Sequence, residues 1–182
     1  KNGDAYENTF CSSNGKEYYV GEDGQLVRSS WVEYDSSYYF VNSSGAKITN
    51  DWRLTTPYDD DSADEDEYWY YLKKTTGKPA TGKQSNINGQ IYLFNNEGQM
   101  QHGWVAATDT NGAKFVQLDK EDDEKSMSAA GNAAVYYCGD EDDGHAKKNK
   151  WTKTWPPDNT SEEDDDKEWF WFDKEGKVFR AN

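Results

Sequence analysis

Apolar side chains are scarce in this sequence. Only 34% of its 182 residues are hydrophobic, against the ~45–50% of an ordinary globular domain. That shortage excludes a thick Leu/Ile/Val interior. Basic residues are short as well: 20 Lys and Arg stand against 35 Asp and Glu, for a net charge of −15. Such a balance excludes nucleic acid and anionic membrane surfaces as partners, since both require clustered Lys and Arg. No run of ~18 apolar residues is present, so no membrane insertion is expected. There are two cysteines, Cys11 and Cys138. Two so far apart make no disulfide framework and are expected as free thiols. The two histidines, His102 and His145, are isolated from each other and from both cysteines, which removes zinc spacing. No phosphate-binding Gly loop and no nucleophile–base arrangement occurs. Paired carboxylates are plentiful, but shallow surfaces desolvate an acid poorly. No enzymatic activity, metal or cofactor is therefore expected. No leader sequence opens the chain at Lys1, which is read as a mature or trimmed end.

Aromatic residues are abundant. Thirteen Tyr, eight Trp and seven Phe supply the apolar area. The low hydrophobicity and high charge lean towards disorder, whereas this ring content points to a chain that folds by stacking rings locally. Acidic residues come in runs. Seven of the nine residues 59–67, "DDDSADEDE", are acidic, and "EDDD" lies within residues 162–166. A calcium loop needs oxygen ligands at alternate positions and a Gly at the sharp turn. Ala63 breaks that register and no Gly follows, so these runs read as solvated acidic turns.

A repeat organises the rings. "YYVGEDGQLVRSSW" (18–31) is similar to "YYFVNSSGAKITNDW" (38–52), "YYLKKTTGKPATGK" (70–83), "YLFNNEGQMQHGW" (92–104), "YYCGDEDDGHAKKNKW" (136–151) and "FWFDKEGKVFRAN" (170–182). Each has an aromatic pair, a Gly (Gly24, Gly45, Gly77, Gly98, Gly144 or Gly176), and then, in most copies, a Trp. The Trp-type positions are Trp31, Trp52, Lys83, Trp104 and Trp151, spaced by 21, 31, 21 and 47. "KSMSAAGN" (125–132) reads as a worn copy of the connector, with Asn132 in the Trp place, which splits 47 into 28 and 19.

Each unit predicts a β-hairpin and a connector. Trp31 to Glu33 and Ser37 to Val41 are β-prone runs around a turn, and Asn88-Gly89 and Asn111-Gly112 are favoured two-residue turns. The later Gly of each unit is expected at φ > 0. A lone hairpin is marginal in water, but stacked hairpins bury one another's rings. The expected fold is all-β, a solenoid of stacked hairpin repeats with almost no helix. Residues 1–14 are read as an N-terminal extension and 15–182 as a single solenoid. Its units are approximately 15–31, 31–52, 52–83, 83–104, 104–132, 132–151 and 151–182. The acidic runs 59–67 and 162–166 then fall on enlarged hairpin tips.

These units resemble the cell wall-binding repeats of Gram-positive surface proteins, which include choline-binding modules, glucan-binding repeats of glucansucrases and the repetitive domains of large clostridial toxins. "YLFNNEGQMQHGWV" (92–105) carries the resemblance best, and it extends over about residues 15–182. It implies a non-catalytic module at the cell surface or in the cell wall, extracellular, attached to cell-wall polymer, glycan or choline. It implies nothing about oligomeric state.

In the choline-binding branch the resemblance implies a cage of the unit's Trp, the first aromatic of the next strand, and an aromatic of the following unit. A quaternary ammonium offers no conventional hydrogen bond, so ring faces hold it. Here the first-aromatic position is Glu17, Ser37, Ile91 and Val135 in four units, and aromatic only at Trp69 and Trp169. Trp52 with Trp69, closed by Tyr92, and Trp151 with Trp169 are therefore the candidate ligand-binding residues. Trp31, Tyr39, Trp104 and Tyr137 are weaker candidates, read first as packing between hairpins. Indole faces also stack on sugar rings, and loss of the cage aromatic elsewhere favours a glycan over choline. A structural or adhesion spacer with acidic, divalent-ion-sensitive tips is the remaining alternative.

Overall fold

The computed structural model describes residues 5–59, 66–109, 111–158 and 163–180. The chain divides into two compact units, Lys1–Ala80 and Thr81–Asn182. The first holds three antiparallel hairpins: β1 (Thr9–Ser13) with β2 (Lys16–Val20), β3 (Ser30–Tyr34) with β4 (Ser37–Val41), and β5 (Asp51–Thr55) with β6 (Tyr68–Leu72). The second contains β7 (Gly82–Ile87) with β8 (Gln90–Phe94), a three-stranded sheet, and the hairpin of β12 (Lys150–Thr154) with β13 (Glu168–Phe172). In the three-stranded sheet β9 (Trp104–Ala107) is flanked by β10 (Phe115–Gln117) and β11 (Val135–Tyr137). The all-β fold of stacked hairpins is the one the repeat implied. Among the described residues, helix is confined to the single turn α1 (Met127–Ala130) and two short 3-10 turns, at Asp123–Lys125 and Asp164–Asp166. None of it is long and apolar enough to cross a membrane.

Two positive φ angles at a hairpin tip match the right-handed twist of the strands it joins. Asn88 and Gly89 (φ 52° and 79°) satisfy this, as do Asn14-Gly15 and Asp35-Ser36. Asn111-Gly112 departs from the expected two-residue turn. Residues 108–114 separate β9 from β10, and Asp109 Oδ1 accepts the backbone N–H groups of Ala113 and Lys114. That side chain organises a longer loop.

The connectors repeat closely. Asn42, Asn95 and Asp173 each sit three residues before the unit's Gly, and their side-chain oxygens accept two backbone N–H groups of the turn. The chain then folds back onto the strand it left, pairing Val20 with Leu26, Val41 with Lys47, Leu72 with Pro79, Phe94 with Met100, and Phe172 with Val178. Gly24, Gly45, Gly77, Gly98 and Gly176 have positive φ as expected. Gly144 is the exception, and Gly139 takes φ 67° in that connector. At Gly45 a side chain is also excluded sterically, because a Cβ would lie 2.8 Å from Leu26 Cγ.

Connectors stitch neighbouring hairpins. Lys47 N donates to Glu17 O (2.7 Å), Ala146 N to Ile91 O (2.7 Å) and Val178 N to Val135 O (2.8 Å). Packing follows these seams as small clusters. Tyr19, Val32 and Val41 form one, Phe40, Ile48 and Leu72 another; in the second unit Ile91, Leu93, Val105, Phe115 and Tyr136 form a third. Both cysteines are free thiols. Cys138 is fully buried, and desolvation raises its pKa.

Candidate functional site

Strand alternation decides which rings share a face. In β5–β6, Trp52 lies opposite Tyr71 and Leu54 opposite Trp69, so all four occupy one face. Trp52 meets Trp69 edge-on at 6.4 Å and 84°, and Tyr71 at 5.2 Å. The two indoles form a right-angled corner rather than parallel walls. Both are half-buried. Trp69 Nε1 is shielded from solvent and finds no acceptor among the described residues. Of the enlarged hairpin tips expected for the acidic runs, residues 60–65 and 159–162 lie outside the described residues. Tyr92 is half-buried on β8 of the second unit, opposite Gln84, and burial followed by the charge of Asp143 raises its phenol pKa.

In β12–β13 the register places Trp151 opposite Trp171 and Lys153 opposite Trp169. Trp151 and Trp169 are 60% and 63% exposed. The ring partner of Trp151 is Trp171, at 5.7 Å, and not Trp169. Trp171 thus belongs to this face although the repeat pattern did not select it. The alternation in "EWFWF" (168–172) was the available signal. Trp52 with Trp69, and Trp151 with Trp169, occupy the last hairpin of their respective units.

The weaker candidates are packed. Trp104 is 8% exposed and lies against Tyr137, Phe170 and Phe172. Its Nε1 donates to Trp155 O at 2.8 Å. Trp31 has the same arrangement in the first unit: its Nε1 donates to Thr56 O at 2.8 Å and its ring meets Phe40 and Tyr70 edge-on. Thr56 and Trp155 both follow directly on the first strand of the next hairpin. Tyr58 closes the space beside Trp31, stacking on Tyr38 at 4.5 Å. Tyr39 lies beside Phe10 at 5.4 Å.

Lys83, in a Trp-type position, reaches over Tyr136 (5.0 Å) and donates to Glu175 O (2.7 Å). Burial lowers its pKa, and burial pushes the Tyr136 phenol up to about 12. A cleft of about 770 Å³ lies in the second unit, floored by Ala106, Ala107, Ala133 and Ala134. It contains no indole, so its chemistry differs from that of the two Trp faces.

Residues 29–47, β3, β4 and the connector after them, match the family described as "Putative cell wall binding repeat". That stretch is similar to a cell wall-binding repeat. Over 93 residues, half of the chain, it is 37% identical to Glucosyltransferase-S of Streptococcus mutans serotype c. It spans 6% of that protein's length. Among solved structures, CbpJ from Streptococcus pneumoniae has a similar fold: the TM-score is 0.57 at 19% identity, covering 93% of this chain and 41% of that one.

Proposed function

We propose that these repeats form a non-catalytic module attaching an extracellular protein to cell-wall polymer or glycan through two indole faces. The observation that carries this reading is the trio Trp151, Trp169 and Trp171 on one face of β12–β13, the first two exposed and Trp171 half-buried. Flat, solvent-facing indoles stack on the apolar faces of sugar rings, and two exposed indoles backed by a third on one hairpin give an area that isolated surface rings do not. The relative Glucosyltransferase-S acts on glucosyl units by its name, in keeping with a glycan.

A specific geometry favours the second reading, choline. Trp52 and Trp69 meet at a right angle, and a corner of two ring faces suits a quaternary ammonium. The acidic run 59–67, which precedes β6 in the sequence, adds negative charge that favours a cation.

Intrinsic tryptophan fluorescence titrated with dextran, purified peptidoglycan and choline separates these ligands. Trp151→Ala and Trp169→Ala are expected to lose at least 10-fold in glycan affinity while the circular dichroism spectrum is kept. Trp52→Ala and Trp69→Ala are expected to remove a choline response. A folded protein unmoved by every ligand indicates a spacer instead.

A further inference from the structure

The Lys47 ammonium lies inside an aromatic corner of the first unit. Its Nζ stands 5.3 Å from the centroid of the Phe10 ring and 5.3 Å from that of Tyr39. These rings are themselves 5.4 Å apart at 82°, nearly the angle between Trp52 and Trp69. The third wall is the Glu17 carboxylate, which forms a salt bridge with Nζ. The Lys47 side chain is 14% exposed. Backbone bonds aim it: Lys47 N donates to Glu17 O, and the adjacent Ala46 pairs with Tyr18.

Register shows what the corner corresponds to. Phe10 is the second residue of β1, as Trp52 is of β5, and Glu17 is the second residue of β2, as Trp69 is of β6. Phe10 and Glu17 thus hold the strand positions that Trp52 and Trp69 hold in the third hairpin, and Tyr39 comes from the next hairpin. Two perpendicular ring faces and a carboxylate form a site for an organic ammonium ion.

We propose that the first hairpin carries a cation-binding niche plugged by the chain's own Lys47, and that a small organic ammonium enters once that side chain is shortened. A tether this short keeps its ammonium at an effective concentration on the order of millimolar or more. A free cation in the micromolar range therefore does not displace it. The niche is silent in the intact chain. Lys167 over Trp155, at 4.2 Å, shows a second ring face covered by a lysine of the same chain. The inference rests on the Phe10, Glu17, Tyr39 and Lys47 geometry alone, so it stands or falls separately from the ligand assigned to the indole faces.

The test is chemical rescue. Lys47→Ala is expected to melt below the intact chain and to regain the loss as methylammonium or tetramethylammonium chloride is added. The regain should saturate and exceed that from sodium chloride at equal ionic strength. Ring-proton shifts of Phe10 and Tyr39 should move with the same concentration dependence. The intact chain and Lys47→Met, whose stem fills the corner without charge, should show only the sodium chloride response. Glu17→Gln in the Lys47→Ala background should weaken the rescue severalfold. If Lys47→Ala does not fold in sodium chloride, refolding on addition of the ammonium supports the niche, and no refolding overturns it. A folded Lys47→Ala that responds equally to ammonium and sodium also overturns it, as does a Lys47→Met response equal to that of Lys47→Ala.

Discussion

Indoles at the two aromatic places of the repeat are held by different forces. Trp31 and Trp104 donate Nε1–H to the carbonyl that follows the next hairpin's first strand. Trp69 has its Nε1 buried without such a partner among the described residues. A paired hydrogen bond contributes about 0.5–1.5 kcal/mol, whereas an unsatisfied buried donor is a cost of about 1–3 kcal/mol. Phenylalanine keeps a ring and removes the donor. Trp31→Phe should therefore destabilise by about 1.5 kcal/mol or more relative to Trp69→Phe, measured by urea unfolding. Equal losses would mean that the Trp69 indole finds an acceptor in solution. The distinction was not legible in the sequence, because it depends on where another hairpin's carbonyl ends up. For the same reason the entry of Tyr58 beside Trp31, and of Lys47 beside Phe10, could not be read from spacing. Both come from connectors or tips whose paths are set by side chain–backbone bonds. That Trp169 and Trp171 share a face was open to reading from "EWFWF", since alternation along one strand is a purely local property, whereas Trp151 joins them through the register of β12 with β13.

At the scale of the hairpin, the turn sequence fixes how easily strands meet. Asn88-Gly89 supplies two residues that tolerate positive φ, and the tip forms as its sequence predicts. Between β3 and β4 the same geometry falls to Asp35 (φ 50°) and Ser36 (φ 58°). Left-handed backbone costs an L-residue other than glycine about 1 kcal/mol. Ser36→Gly should accordingly raise stability by about 0.5–1 kcal/mol in thermal or urea melts. No change would place the strain elsewhere. Asn111-Gly112 marks the limit of this reasoning. The dipeptide was correctly seen as part of a turn, but the Asp109 carboxylate bonds the N–H groups of Ala113 and Lys114 and lengthens the loop. A carboxylate that caps a loop competes with the short turn for the same backbone donors.

Across the molecule, rings took the place of a Leu/Ile/Val core, as the composition required, but buried polar groups came with them. Tyr136 is 2% exposed and Cys138 is fully buried. Desolvation raises the thiol from its ordinary value of 9.0 and the phenol from 10.0 to about 12. Above pH 9.0 the unfolded chain releases the Cys138 proton while the folded chain retains it. The unfolded state then binds fewer protons, so stability falls as pH rises. The contribution is fully present below that pH and is lost on the way to the raised folded value. Tyr136 adds a second loss between pH 10.0 and about 12. Each group imposes a slope of about 1.4 kcal/mol per pH unit inside its window. Both groups lie in the second unit, within the cluster joining Ile91, Leu93, Val105 and Phe115. Urea melts on either side of pH 9.0 should show that unit weakening first. Cys138→Ala should move the onset up towards the tyrosine window, at a small cost in packing near neutral pH. An onset below pH 9.0, or one that ignores the Cys138 substitution, would show that neither buried proton governs alkaline stability.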